Sequence, residues 1–223
     1  MHRTALLSLA LTICIYSSAP AEEKAKDKVE ELREKGYTVT QVSPIFSQLV
    51  LFAFPAGFKP AFEKTNGNSY IRESVLDGET VDQWTQMITV TGAKGLATNP
   101  NVTPELFVTQ IAAGFKRACP ETFSAKRMGM IKVSGQDAFA GVASCGTVLT
   151  SITPRSETAL LIAIRGSADY YTIQWAERGP VSGQVLDLGD PKWADRFTKL
   201  GPIKVCPIVP GEAPPYPSCV NQK

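Results

Sequence analysis

Hydrophobic positions recur with two different spacings along this chain. From Thr103 to Cys119 the apolar residues Phe107, Val108, Ile111, Phe115 and Ala118 fall three and four apart, which predicts an amphipathic helix. Thr103 is placed to cap it, Pro104 fits its first position, Glu105 meets the positive end of its dipole, and Cys119-Pro120 stops it. A second helix is expected over Pro191–Leu200, with Trp193, Phe197 and Leu200 on one face behind an Asp190 cap and Gly201-Pro202 as its stop.

Elsewhere the spacing is that of strands. Gln48 to Phe54 is a nearly continuous apolar run, as expected of a strand buried on both faces. Lys59–Lys64 and Ser69–Leu76 flank Asn66-Gly67, a hairpin signal, and Met87–Thr91 returns to strand character. Between them the capping-box spacing of Thr80 to Gln83 predicts a short helix carrying Trp84. After a link, Met128–Val133 and Gln136–Thr147 read as a hairpin turning at Ser134-Gly135. Its second strand presents Phe139, Gly141, Ala143 and Cys145 on one face, small enough for a helix to lie close. Glu157–Arg165 and Tyr170–Glu177 form the next hairpin, so the strands continue as an antiparallel meander. The expected class is α+β: an antiparallel sheet meander flanked by helices in an α/β/α sandwich.

The ends differ from this middle. Residues 1–21 have the layout of a secretory signal, with Arg3, an apolar run from Ala5 to Tyr16 and Ala19-Pro20-Ala21 before Glu22. The run is too short for a membrane span, and Cys14 follows bulky Ile13 where a lipobox needs a small residue, so no transmembrane span is expected after cleavage. Residues 22–36 form a charged helix or tether with Ala25, Val29 and Leu32 as a narrow apolar stripe. A domain over 37–201 follows, then a proline-rich tail over 202–223.

Cleavage removes one arginine and no acid from a chain with 23 Lys and Arg against 21 Asp and Glu, leaving a net charge near +1 and no signature of nucleic-acid binding. Four cysteines remain, Cys119, Cys145, Cys206 and Cys219. Of the three possible pairings, Cys119–Cys145 with Cys206–Cys219 is preferred because each closes a local unit. The sole histidine, His2, leaves with the signal. That excludes histidine-based nucleophile systems, general bases and metal ligands, and no metal or cofactor is expected.

The order of elements, with LVLFAFPAGFKPAF, YIRESVLDGETVDQWTQMITVTG, TPELFVTQIAAGFKRACP, a meander, and PKWADRFTKLG, resembles the PsbP-like α/β/α sandwich superfamily over about Thr38 to Leu200. That superfamily includes the extrinsic photosystem protein, DcrB-type envelope proteins and small adaptors of bacterial secretion. The resemblance implies a non-catalytic protein that binds other proteins and carries over no single functional residue.

Three readings follow. The first is a periplasmic or secreted binding or scaffold protein with an envelope or secreted partner, its candidate surface residues being Trp84, Tyr170 and Trp175. The second is a histidine-free enzyme built on Glu73 or Asp82, although turn and cap chemistry accounts for most of the cluster Glu73, Asp77, Glu79 and Asp82. The third is a carrier enclosing an apolar ligand among residues such as Phe115, Phe139 and Trp175.

Overall fold

The computed structural model describes residues 28–29, 31–32, 34–35, 37–148 and 153–222. The signal segment with Cys14 and the start of the charged run lie outside the described residues. Two units are distinguished, divided after Tyr37. In the first, described residues between 28 and 35 are helical, and Glu31 pairs with Lys35 one turn on and lies 3.9 Å from Lys28.

The second unit contains two antiparallel sheets. Strands β1 (Thr40–Ile45), β2 (Gln48–Ala53) and β10 (Lys204–Pro207) form a three-stranded sheet in the order β1-β2-β10. Strands β3 (Phe58–Asn66), β4 (Ser69–Leu76), β5 (Gln86–Ala93), β6 (Phe123–Val133), β7 (Gln136–Cys145), β8 (Ser156–Arg165) and β9 (Tyr170–Gly179) form a seven-stranded sheet in the order β3-β4-β5-β9-β8-β7-β6. The meander β6 to β9 is as expected, each strand pairing with the next.

Each face of the large sheet has its own cover. Helix α1 (Pro104–Ala118) lies on one, packing Val108, Phe107, Ile111, Ala112 and Phe115 against Phe139, Ala143, Ala159, Leu161 and Ala163. The opposite face meets the small sheet through Ile45, Val50 and Phe52 and meets helix α2 (Lys192–Lys199) through Trp193. Strand β8 runs through both layers, and Leu160, Leu161, Ile162 and Ile164 are fully buried. Each such side chain contributes about 1.5–3 kcal/mol relative to exposure. The short helix α3 (Pro217–Val220) closes the chain, bonded by Cys219 to Cys206; the second disulfide joins Cys119 to Cys145.

Three local expectations are corrected. The segment carrying Trp84 is a turn, not a helix: Thr80 and Gln83 exchange backbone bonds of 3.0 and 3.1 Å, and β5 starts at Gln86, leaving no length for a helical run. The link before Met128 is strand from Phe123, its alternation disguised by a bulge between Arg127 and Gly129, where Gly129 takes φ 121°. Lys204–Pro207, read as part of a terminal cap, adds a strand to β2.

A buried carboxylate joins the two sheets. Asp169, in the β8–β9 turn, accepts bonds from Ser47 N (3.1 Å) and Ser47 Oγ (2.5 Å) in the β1–β2 turn, Gly95 N (2.7 Å), and Tyr171 O–H (3.3 Å). Burial works against its charge, but these hydrogen bonds outweigh it and hold the carboxyl below its ordinary range. Its contribution is therefore present above the unfolded value of about 3.9 and lost as pH falls through the lower folded value. We expect Asp169→Asn to cost about 1–3 kcal/mol at neutral pH. In denaturant melts the gap between variant and wild type should narrow below about pH 4; a gap independent of pH contradicts the assignment.

Candidate functional site

Helix α1 is fastened at both ends. Thr103 Oγ1 accepts the Leu106 N–H at 3.1 Å, Pro104 occupies the first turn, and Glu105 pairs with Arg127 on β6. At the other end the Cys119–Cys145 bond fixes the helix to the last residue of β7, with Cα atoms 5.7 Å apart. Between these points the helix passes over Gly141. A Cβ there would lie 3.2 Å from the Lys126 carbonyl and 3.4 Å from Val108 Cγ1, so a side chain would press on both.

The helix does not seal its outer side. A pocket of about 290 Å³ opens between α1 and the β6–β7 pair, with Val108, Ala112, Phe123, Phe139 and Leu161 among its apolar walls. It persists because beyond Phe123 the residues that β6 brings to this side are Ala125 and Arg127. Lys116, Lys126 and Arg127 are its charged lining residues, and no carboxylate lines it. The Arg127 guanidinium stands 5.3 Å from the Phe139 ring centroid, an attraction of cation and π face.

Across the sheet, a second cavity of about 360 Å³ is bounded by Val142, Leu188, Asp190, Trp193 and, again, Lys126 and Arg127. Trp193 is 4% exposed, and its Nε1–H is buried without a hydrogen-bond partner. Lys126 Nζ donates at 3.4 Å to the Leu188 carbonyl and has no carboxylate partner among the described residues. A third hollow, of about 390 Å³, lies by Leu96, Leu106, Phe107 and Ile111.

The three aromatic residues singled out in the sequence lie apart and buried. Trp84, 8% exposed, packs on Val75 and Met87 beneath the Arg178 guanidinium, 3.5 Å from its ring centroid. Tyr170, 1% exposed, stacks on Phe107 at 5.1 Å and donates its hydroxyl to the Val102 carbonyl. Trp175 belongs to the opposite face, edge-on to Phe58, and its indole N–H donates to Gln86 Oε1 at 3.0 Å. Phe115 and Phe139 share the α1 face while Trp175 does not, so no single cavity joins those three.

The acids also separate. Glu79 accepts from Thr85 N and Oγ1 at 3.0 and 2.5 Å, closing its loop, and Asp77 lies 3.2 Å from Lys59. Glu73 sits mid-strand on β4, where burial raises its carboxyl pKa, and it lines none of the three cavities. Asp82 is exposed in the loop before β5.

No family model matches the sequence, and no curated protein is significantly similar to it. Among solved structures, a Bacteroides thetaiotaomicron protein is 13% identical over 78% of this chain and 49% of that one, with a TM-score of 0.38. The Ran-binding protein Mog1p of Saccharomyces cerevisiae is 10% identical over 73% of this chain and 91% of its own, TM-score 0.43. Cyanobacterial PsbP (CyanoP) from Synechocystis is 10% identical over 73% and 88%, TM-score 0.40. The chain thus spans about half the length of the Bacteroides protein. No residue role is transferred from any of them.

The openness of the slot makes two substitutions diverge. Gly141→Val should cost about 1–3 kcal/mol in chemical denaturation by forcing α1 away from β7. Ala125→Val on β6, facing the open slot, should stay within about 0.5 kcal/mol of wild type. Equal costs contradict the open geometry.

Proposed function

We propose that the mature chain, residues 22–223, is an exported, non-catalytic binding protein of the bacterial envelope or its exterior, and that it holds a partner protein at the slot between α1 and β6. The observation that carries this reading is the slot itself: apolar walls, cations at its lining, and an opening beside the outermost strand of the large sheet. Such a surface supplies chiefly apolar burial, with Lys116 in its lining to attract negative charge, since Arg127 is paired with Glu105 and the Lys126 ammonium lies on the other face. No carboxylate, histidine or cysteine is among its lining residues.

The remaining chemistry agrees. After His2 the sequence contains no histidine, and Cys119, Cys145, Cys206 and Cys219 are consumed in two disulfides. Both bonds suit an oxidising compartment, the destination that the leader at residues 1–21 indicates. Among the described residues no helix is long and apolar enough to cross a membrane. Of the three aromatic residues, Tyr170 supports the α1 wall from within by stacking on Phe107, while Trp84 and Trp175 pack elsewhere on the sheet.

Selection of a phage-displayed heptapeptide library on the disulfide-bonded mature chain tests this. Enriched peptides should lose at least tenfold in affinity by calorimetry when Ala112→Trp fills the slot, with the variant's unfolding midpoint retained. Failure to enrich any peptide, or binding unchanged by the filled slot, overturns the reading; saturation of the same slot by a fatty acid alone turns it towards a small-ligand carrier.

A further inference from the structure

The two cavities described above lie on opposite faces of one sheet, yet share Lys126 and Arg127. Those residues belong to β6, the terminal strand, whose outer edge no described strand pairs. From Phe123 to Arg127 its register with β7 is regular, and only after Arg127 does the bulge intervene. Gly146 N donates to the Thr122 carbonyl at 3.1 Å, so Thr122 bonds inward. Antiparallel pairing then alternates, leaving the backbone groups of Phe123, Ala125 and Arg127 directed outward.

From this geometry, and resting on the binding reading above, we propose that β6 receives an extended partner segment as an eighth strand along Phe123–Arg127. Successive side chains of an added strand point to opposite faces. One therefore enters the slot under α1, and its neighbour enters the cavity beside α2. The two compartments ask for different chemistry. The α1-side slot takes an apolar side chain. On the α2 side, the Lys126 ammonium, which donates to the Leu188 carbonyl and has no carboxylate partner among the described residues, takes an acceptor, best a carboxylate, the Asp190 carboxylate of the same cavity being engaged by Lys192. The recognised segment alternates apolar and acidic residues.

The other edge of the large sheet is closed to this use. Pro60 in β3 has no N–H, and the register there shifts between Pro60 and Phe62. The chain from Leu186 to Leu188 does not occupy the β6 edge: Ser124 Oγ and Lys126 Nζ reach it from the α2 face, and β6 makes no backbone bond to it. Met128 and Met130, 37% and 57% exposed, flank the site as adaptable apolar surface.

The peptides enriched on the mature chain provide the probe. They should alternate apolar and acidic residues, and on binding they should slow amide exchange at Ala125 and Arg127. Methylating alternate peptide nitrogens should abolish binding to the unchanged protein. Lys126→Glu should weaken it at least tenfold, and Lys59→Glu on the opposite edge should change it less than twofold. Peptides that depend on the slot but leave the β6 amides unprotected, or that tolerate methylation in both registers, overturn strand addition while sparing the binding reading. Peptides indifferent to the filled slot overturn that reading itself.

Discussion

The buried Asp169 carboxylate is the constraint on which the rest of the second unit depends. Through Ser47 it holds the turn of the small sheet, and through Gly95 it holds the chain leaving β5. That chain is then fixed step by step: Ala97 N–H donates to the Ala168 carbonyl, the Arg165 guanidinium clasps the Ala97 carbonyl, and Tyr170 O–H reaches Val102. Thr103 follows immediately as the cap of α1. A carboxylate that lines none of the three cavities thus anchors the segment leading into the helix that forms the slot's wall. Its charge is tolerable only because four donors surround it.

With its start set there, α1 needs only two more anchors. The Cys119–Cys145 bond holds its end to β7, and the Glu105–Arg127 pair holds its beginning to β6. The ion pair is exposed and weak by itself. The disulfide is the stronger element, worth about 3.5 kcal/mol for a loop of this size in the chain-entropy model. A helix pinned at its ends above a strand of small residues leaves a gap wherever the neighbouring strand has no large side chain to insert. Ala125 and the bulge after Arg127 create that condition on β6.

Much of this architecture was legible in the sequence because it rests on local signals. The α1 cap and stop, the Asn66-Gly67 and Ser134-Gly135 turns, the small face of β7 and the cysteine pairing all follow from neighbouring residues. What escaped was non-local. β10 becomes a strand only because β2 lies beside it, and Phe123–Arg127 loses its alternation at Gly129. The burial of the aromatic candidates was hidden for a related reason. Trp84, Tyr170 and Trp175 have the composition of a recognition surface, but composition does not distinguish a ring facing solvent from one under Arg178 or against Phe107. The slot, by contrast, is written in alanines, a glycine and three cations, which become a feature only when α1 and β6 are brought together.

Binding, as proposed, takes place at the β6 side of α1. The most direct measurement places a photocrosslinking benzoylphenylalanine at Met130, exposed on β6 beside the slot, and separately at Lys59 on the opposite edge, in cells exporting the protein, followed by mass spectrometry of the adducts. A discrete protein adduct from position 130 is expected, its linked residues lying in an extended segment, and none from position 59. Adducts from position 59 alone, or from neither position while the protein is folded and exported, would contradict binding at this edge.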